Sequence, residues 1–267
     1  MAILSACVPQ TDGGESRSMK PVALQLYSVR EAAAQDFPGV LKRVAEIGYK
    51  GVEFAGLHGM AANEVRKIVD DLGLQVASAH MAMPTADNAA QMIEECHTLG
   101  VTKLVTGPGG PLDTMANVLA AADRLNAAVA ALEGSDIRLG LHNHWAEFEP
   151  VEGKLPEDVL LEKVPGMFAQ LDVYWCAVGG QDPVSTVARL KDRIPLLHIK
   201  DGMIEPRQPH TAVGSGVLDI PAIIGAADDN VLEWLIVELD SCATDMFEAV
   251  EQSYRYLVDN GLGEGNR

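Results

Sequence analysis

The chain has 267 residues, 48% of them hydrophobic, a length close to the ~250 residues of one (β/α)₈ barrel. Its formal charge is −18, from 38 acidic against 20 basic residues, which excludes a phosphate-backbone binder that must displace counterions with Lys and Arg; no nucleic acid partner is expected. The four cysteines, Cys7, Cys96, Cys176 and Cys242, are too scattered for a C-x₂-C metal pair and too few for a disulfide scaffold, and no apolar run is long enough to span a bilayer.

Residues 1–20 read as a disordered leader, since 10–18 are rich in Gly, Ser and charge. Leu4-Ser5-Ala6-Cys7 is similar to a bacterial lipoprotein cleavage box, but only three residues precede it and no charged or apolar signal region is present. Two readings stand: a cytoplasmic protein, or an exported lipoprotein whose signal is truncated ahead of Cys7.

From Val22 onward strand and helix alternate, and a chain built that way forms a parallel sheet covered by helices. The expected strands are 22–27, 50–54, 75–80, 102–106, 138–144, 168–172, 195–200 and 234–239, all apolar enough for buried staves. Between them, Phe37 to Ile47 puts Val40, Leu41, Val44 and Ile47 on one helical face, with Gly48 as its stop. Gly73 and Gly100 close the next two amphipathic stretches, Ala61 to Leu72 and Asn88 to Leu99. Asp113-Thr114 opens an Ala-rich helix to Leu132, and Asp182-Pro183 opens the helix before strand seven. An open doubly wound sheet would want G-x-G-x-x-G after strand one, and Tyr27-Ser28-Val29-Arg30 offers none. The expected fold is a single-domain α/β (β/α)₈ TIM barrel over residues 21–267.

Four strands end in side chains that suit a metal. Leu-His-Asn-His at 141–144, Leu-Asp at 171–172, Leu-His-Ile-Lys at 197–200 and Val-Glu-Leu-Asp at 237–240 begin apolar and turn polar, so each brings a ligand to one rim of a closed barrel. His142, Asp172, His198 and Glu238 form a mixed imidazole and carboxylate set, so one divalent ion is the expected cofactor, Mn, Zn, Co, Fe or Mg rather than Ca. Alternation puts His142 and His144 on one barrel face, with His142 preferred as ligand over a core histidine bonded to a backbone carbonyl. Asp172 follows an apolar strand, and burying it requires a ligand or salt-bridge role. His198 and Lys200 share an inward face. A Lys beside a cation is expected to lose proton affinity and act as general base, the alternative being an ion pair with Asp201 or Glu238. Glu53 and His80, at the tips of strands two and three, are expected to bind substrate hydroxyls or, equally, to orient a ligand imidazole. Trp145, Trp175 and Tyr174 follow rim residues and offer apolar faces to a sugar ring.

Gln25-Leu26-Tyr27-Ser28, Gly51-Val52-Glu53, Ala79-His80, His142-Asn143-His144 with Glu147-Phe148, Leu171-Asp172, His198-Ile199-Lys200-Asp201, the loop Gly214-Ser215-Gly216-Val217-Leu218-Asp219 and Glu238 together resemble the xylose isomerase-like sugar isomerase/epimerase superfamily. The resemblance implies a TIM barrel with one divalent ion held by strands five to eight, where many relatives carry Glu, Asp, His and Glu and the two glutamates shuttle a proton. Here His142 takes the first position, so one acid/base glutamate is missing. The HNHxxEF pattern is closer to the branch of inosose dehydratase and enzymes acting on 3-keto sugars or 3-keto glycosides. The expected activity is metal-dependent isomerisation or epimerisation of a sugar or keto-sugar through an enediolate. Dehydration or lyase cleavage of an inosose or 3-keto-glycoside is the alternative. Lys200 and Glu238 are the candidates for proton transfer, and His144 completes the catalytic set by holding a hydroxyl. The expected partners are a small-molecule sugar or keto-sugar and, as a candidate, a second copy of the chain. A DNA-repair nuclease on the same barrel would need more His and Glu ligands and a basic face. A non-catalytic sugar-binding subunit would have no need of ligand candidates on four strands.

Overall fold

The computed structural model describes residues 18–204 and 208–266. Eight parallel strands close on themselves: β1 Lys20–Gln25, β2 Gly51–Phe54, β3 Gln75–His80, β4 Lys103–Thr106, β5 Arg138–His142, β6 Phe168–Asp172, β7 Leu196–Ile199 and β8 Trp234–Val237. Each pairs with the next in sequence, and β1 pairs with both β8 and β2, so no interior edge is left open. A short β9, Gly263–Glu264, pairs with Lys20 and Pro21 outside the ring. Lys20 is the first residue of β1. The Cys7 box lies outside the described residues.

The helices follow the expected punctuation. Asp36 accepts a hydrogen bond from Gly39 N, Thr114 from Asn117 N and Asp182 from Ser185 N, each at a helix N-terminus. Gly48 and Gly100 end their helices at φ +119° and +76°, the left-handed region that a Cβ disfavours. Helices not bounded from the sequence include Pro156–Lys163, between β5 and β6, Val173–Val178, directly after β6, Ile220–Gly225 after β7 and Met246–Asp259 after β8.

Inside the ring, period-two alternation sorts the side chains into layers. Ala23, Ala77, Val105, Phe168, Leu196, Trp234 and Ile236 form an apolar plug. A Cβ on Gly51 would meet the Trp234 ring and one on Gly140 the Phe168 ring; the two glycines make room for the two large rings. One pleat further along, Gln25, Glu53, Ser78, Gln170, Asp172 and His198 are buried and polar. The second apolar layer, between strands and helices, is the main core. No described helix is long and apolar enough to cross a membrane.

Candidate active site

At the C-terminal end of the barrel lies a cavity of about 750 Å³, lined among others by His80, His142, His144, Trp145, Trp175, Glu238 and Asp240. At its floor, one donor atom from each of His142, Asp172, His198 and Glu238 comes within 4.8 Å of the others, so the four side chains expected as ligands do converge. Strand pairing sets this up: Asp172 is opposite His198 in the register. Asn143 then ties the end of β5 to β6, accepting from Asp172 N at 2.9 Å and donating to Asp172 O at 3.2 Å. Asp172 divides its oxygens. Oδ1 caps the helix Val173–Val178 by accepting from Trp175 N at 2.9 Å, while Oδ2 faces His198 Nδ1 and Lys200.

His142 Nδ1 is buried without a hydrogen-bond partner. Burial first, then the neighbouring His198 and His80, hold its pKa well below the usual histidine value, so the imidazole is neutral and keeps a lone pair for a cation. His198 is engaged on both sides, Nε2 to Glu53 Oε1 at 2.7 Å and Nδ1 to Glu238 Oε2 at 3.0 Å. Burial opposes its protonation, but Glu53 and Glu238 outweigh burial and raise its pKa to about 10. Glu238 is pushed up by burial and pulled down further by Lys200 and His198, so its carboxyl lies well below the usual range and is ionised. The donor set, two imidazoles and two carboxylates at cavity depth with one ring nitrogen unsatisfied, fits a divalent first-row ion.

Two side chains are fully enclosed rather than cavity-lining. Glu53 is fully buried and does not line the cavity. It accepts from Gln25 Nε2 at 2.5 Å, from the Ser78 hydroxyl and from the Gln170 amide, besides His198, and His80 Nε2 lies 3.2 Å away. Burial alone would raise its pKa, yet the two imidazoles hold it well below the carboxylate range. So enclosed, the carboxylate contacts His198 and His80, in line with the alternative of orienting a ligand imidazole. Lys200 sits in an ion pair with Glu238, the alternative to a free base. Burial acts to lower its proton affinity, but Asp172, Glu238 and Asp240 together raise its pKa above the ordinary lysine value. Three carboxylates within 3.0 Å leave an ammonium, not a free base.

The other candidates sit around the cavity. β5 ends at His142, so His144 lies past the strand and is exposed to the cavity, its backbone N–H donating to Glu147 at 2.9 Å. Trp145 and Trp175 form one wall, ring centroids 5.1 Å apart. Tyr174 is turned away, its hydroxyl donating to Met203 O at 2.6 Å. His80 lines the cavity with Nε2 2.6 Å from Gln170 Oε1. Ser78 and Gln170 were not singled out from the sequence, and Gln25 and Asp240 appear there only within motifs. Each was detectable as the residue two positions from a named one or, for Gln25, as the register partner of Glu53.

A family model for the xylose isomerase-like TIM barrel matches residues 41–259. A sugar phosphate isomerase/epimerase from Parabacteroides distasonis ATCC 8503 superposes with a TM-score of 0.76 at 27% identity, over 96% of this chain and 100% of that one. The IOLI protein, solved with a binding zinc atom, gives 0.70 at 16% over 90% and 97%, and a probable 3-DHS dehydratase from Bacillus anthracis gives 0.71 at 14% over 89% and 98%. A search of curated proteins returns no match. The closed ring of β1 to β8, the polar layer at its C-terminal end and a family match spanning β2 to β8 agree: this chain belongs to the xylose isomerase-like TIM barrel family.

Proposed function

We propose that this protein is a divalent-metal-dependent enzyme that moves a proton at the carbon beside a sugar or keto-sugar carbonyl, giving isomerisation or epimerisation. The observation that carries the reading is the convergence of His142, Asp172, His198 and Glu238 within 4.8 Å at the floor of a large cavity. The zinc-binding and isomerase/epimerase relatives support it. When bound there, a divalent ion acts as a Lewis acid toward a carbonyl or hydroxyl oxygen.

The chain's own groups divide the remaining work. Glu238, ionised and on the cavity wall, is the group placed to accept the proton. Before an ion binds, the Lys200 ammonium, 2.9 Å from Glu238 Oε2, keeps that carboxylate charged and in place. Glu53 holds His198 by Nε2 and thereby leaves Nδ1 on the side of Glu238 and Asp172, the carboxylate–histidine arrangement that fixes a ligand's tautomer. His80 and His144 are placed to bind hydroxyls, and Trp145 with Trp175 to pack against the ring's C–H face.

The neutral His142 favours a second reading. With two anionic donors instead of three, a bound ion would keep more positive charge and polarise a ketone more strongly, which suits β-elimination from an inosose or 3-keto-glycoside. A dehydratase is among the fold relatives. One experiment tests both readings. The protein is stripped with chelator, reloaded with Mn²⁺, Co²⁺ or Zn²⁺, and incubated in D₂O with ketoses, inososes and 3-keto glycosides under NMR. The proposal expects metal-dependent deuterium uptake beside the carbonyl, lost in Asp172→Asn; elimination products select the second reading. Exchange that persists after stripping refutes the metal dependence.

A further inference from the structure

Lys200 is fully enclosed, and its three acidic partners are not equivalent. Nζ lies 3.0 Å from Asp172 Oδ2 and 2.9 Å from Glu238 Oε2. Those same oxygens face His198 Nδ1, at 4.0 and 3.0 Å, and both residues belong to the converging donor set. The third partner, Asp240 Oδ2 at 2.8 Å, is outside that set, with a side chain 29% exposed, and lines the cavity. An ammonium and a divalent cation cannot occupy the same lone pairs, and at such separations their repulsion is strong in a buried site. Of the three carboxylates, only Asp240 lies outside the donor set and is left as an anchor for a displaced ammonium.

We propose that Lys200 is a built-in counter-cation for the metal centre: it neutralises Asp172 and Glu238 in the metal-free protein, and divalent binding hands its ammonium over to Asp240 at the cavity wall. The inference rests on the metal reading above and goes beyond it, because it makes metal loading and the position of Lys200 one linked event. The ammonium stays charged in both states, so no proton is taken up or released by Lys200. Two effects follow. Metal affinity is lower than the four donors alone would give, since an internal cation must be displaced. The ammonium, already 5.4 Å from the Trp175 ring centroid, is also shifted toward the cavity that Asp240 and Trp175 line.

The test is a double-mutant cycle read by Mn²⁺ affinity, from competition with a fluorescent chelator, and by the Mn²⁺-induced rise in Tm. Lys200→Met is expected to bind Mn²⁺ more tightly than wild type, by roughly 5- to 150-fold, the usual span of a coupling between two sites. Its Tm should be lower without metal and rise further with it. Asp240→Asn leaves all four donors and Lys200 in place but removes the landing site, so it should weaken Mn²⁺ binding, and that loss should vanish in the Lys200→Met background. Equal affinity in wild type and Lys200→Met overturns the proposal. An Asp240→Asn loss that persists in the double variant also overturns it, because the aspartate would then act on the ion directly. If Lys200→Met does not fold, Asp240→Asn decides alone, and an unchanged affinity there sinks the handover. Failure of the metal reading itself looks different: wild type does not bind Mn²⁺, or Asp172→Asn binds it as well as wild type.

Discussion

Glu53 and Glu157 are both carboxylates with no exposed surface, yet their surroundings give them opposite fates. Glu53 is ringed by donors and ionised, and it reaches the candidate ligand His198. Glu53→Gln keeps the shape but replaces an acceptor by an amide, so His198 loses the partner that sets its ring. Metal affinity should fall about 10- to 100-fold, the usual cost of losing such support, with the circular dichroism spectrum unchanged; unaltered affinity would reduce Glu53 to a packing role. Glu157 has neither oxygen hydrogen-bonded. Burial first, then Glu147, raise its pKa well above the ordinary 4.5, against the weaker pull of Arg189 and Arg193. A carboxyl with a raised folded-state pKa costs nothing below pH 4.5, where both states are protonated. As pH rises past that value the unfolded chain ionises and the folded one does not, so stability is lost progressively up to the folded pKa. Glu157→Gln removes the penalty. The variant should melt above wild type at pH 8 and alongside it near pH 4, and a gap independent of pH would count against the assignment.

Among the elements, the described part of the loop after β7 gathers four backbone amides on a single side chain. Buried Asp201 accepts from Gly202 N at 2.8 Å, Gly214 N and Gly216 N at 3.0 Å and Leu218 N at 3.2 Å. The carboxylate thus replaces the regular ladder that a loop lacks. A Cβ on Gly216 would fall on the Asp201 carboxylate and on Gly202 N, so the GSGVLD segment can close around Asp201 only with glycine there. Asp201→Ala leaves one buried and three partly buried amides short of an acceptor and should destabilise the protein by about 2–4 kcal/mol, given roughly 1–3 kcal/mol per unsatisfied buried group and partial rescue by water. Chemical denaturation measures this directly, and a loss below about 0.5 kcal/mol would show that the loop holds itself. Exchange of the Gly214, Gly216 and Leu218 amides should also speed up in the variant. At β5, Gly140→Ala drives a methyl into Phe168, and overpacking of this kind costs about 1–3 kcal/mol.

For the whole molecule, a net charge of −18 on one barrel is a self-repulsion that salt screens. Raising ionic strength from about 0.01 to 0.1 M shortens the Debye length from roughly 30 to 10 Å, so Tm should rise. A fall would mean that local ion pairs such as Arg66–Asp70 and Lys103–Glu233 outweigh the net charge. The barrel was legible in the sequence because its signals are local: apolar runs ending in polar tips, helices stopped by Gly48 and Gly100, and caps at Thr114 and Asp182. The helix Val173–Val178 was not, since Asp172 had to be read as a strand end and an N-cap at once, and six residues carry no helical period. Convergence of His142, Asp172, His198 and Glu238 also followed from sequence, because parallel strands present every polar tip at one rim. Depth and pairing did not. Period two states that Glu53 and Lys200 point inward, but not that Gln25, Ser78 and Gln170 close over one while Asp172, Glu238 and Asp240 surround the other. Those partners lie up to 117 residues away in the chain, and only closure of the ring brings their charges within a few ångströms. The sequence by itself determined the fold and the set of chemical groups at the rim; tertiary structure alone decided which are ionised and which face the cavity, because proton affinity is set by burial and by neighbours that no local pattern specifies.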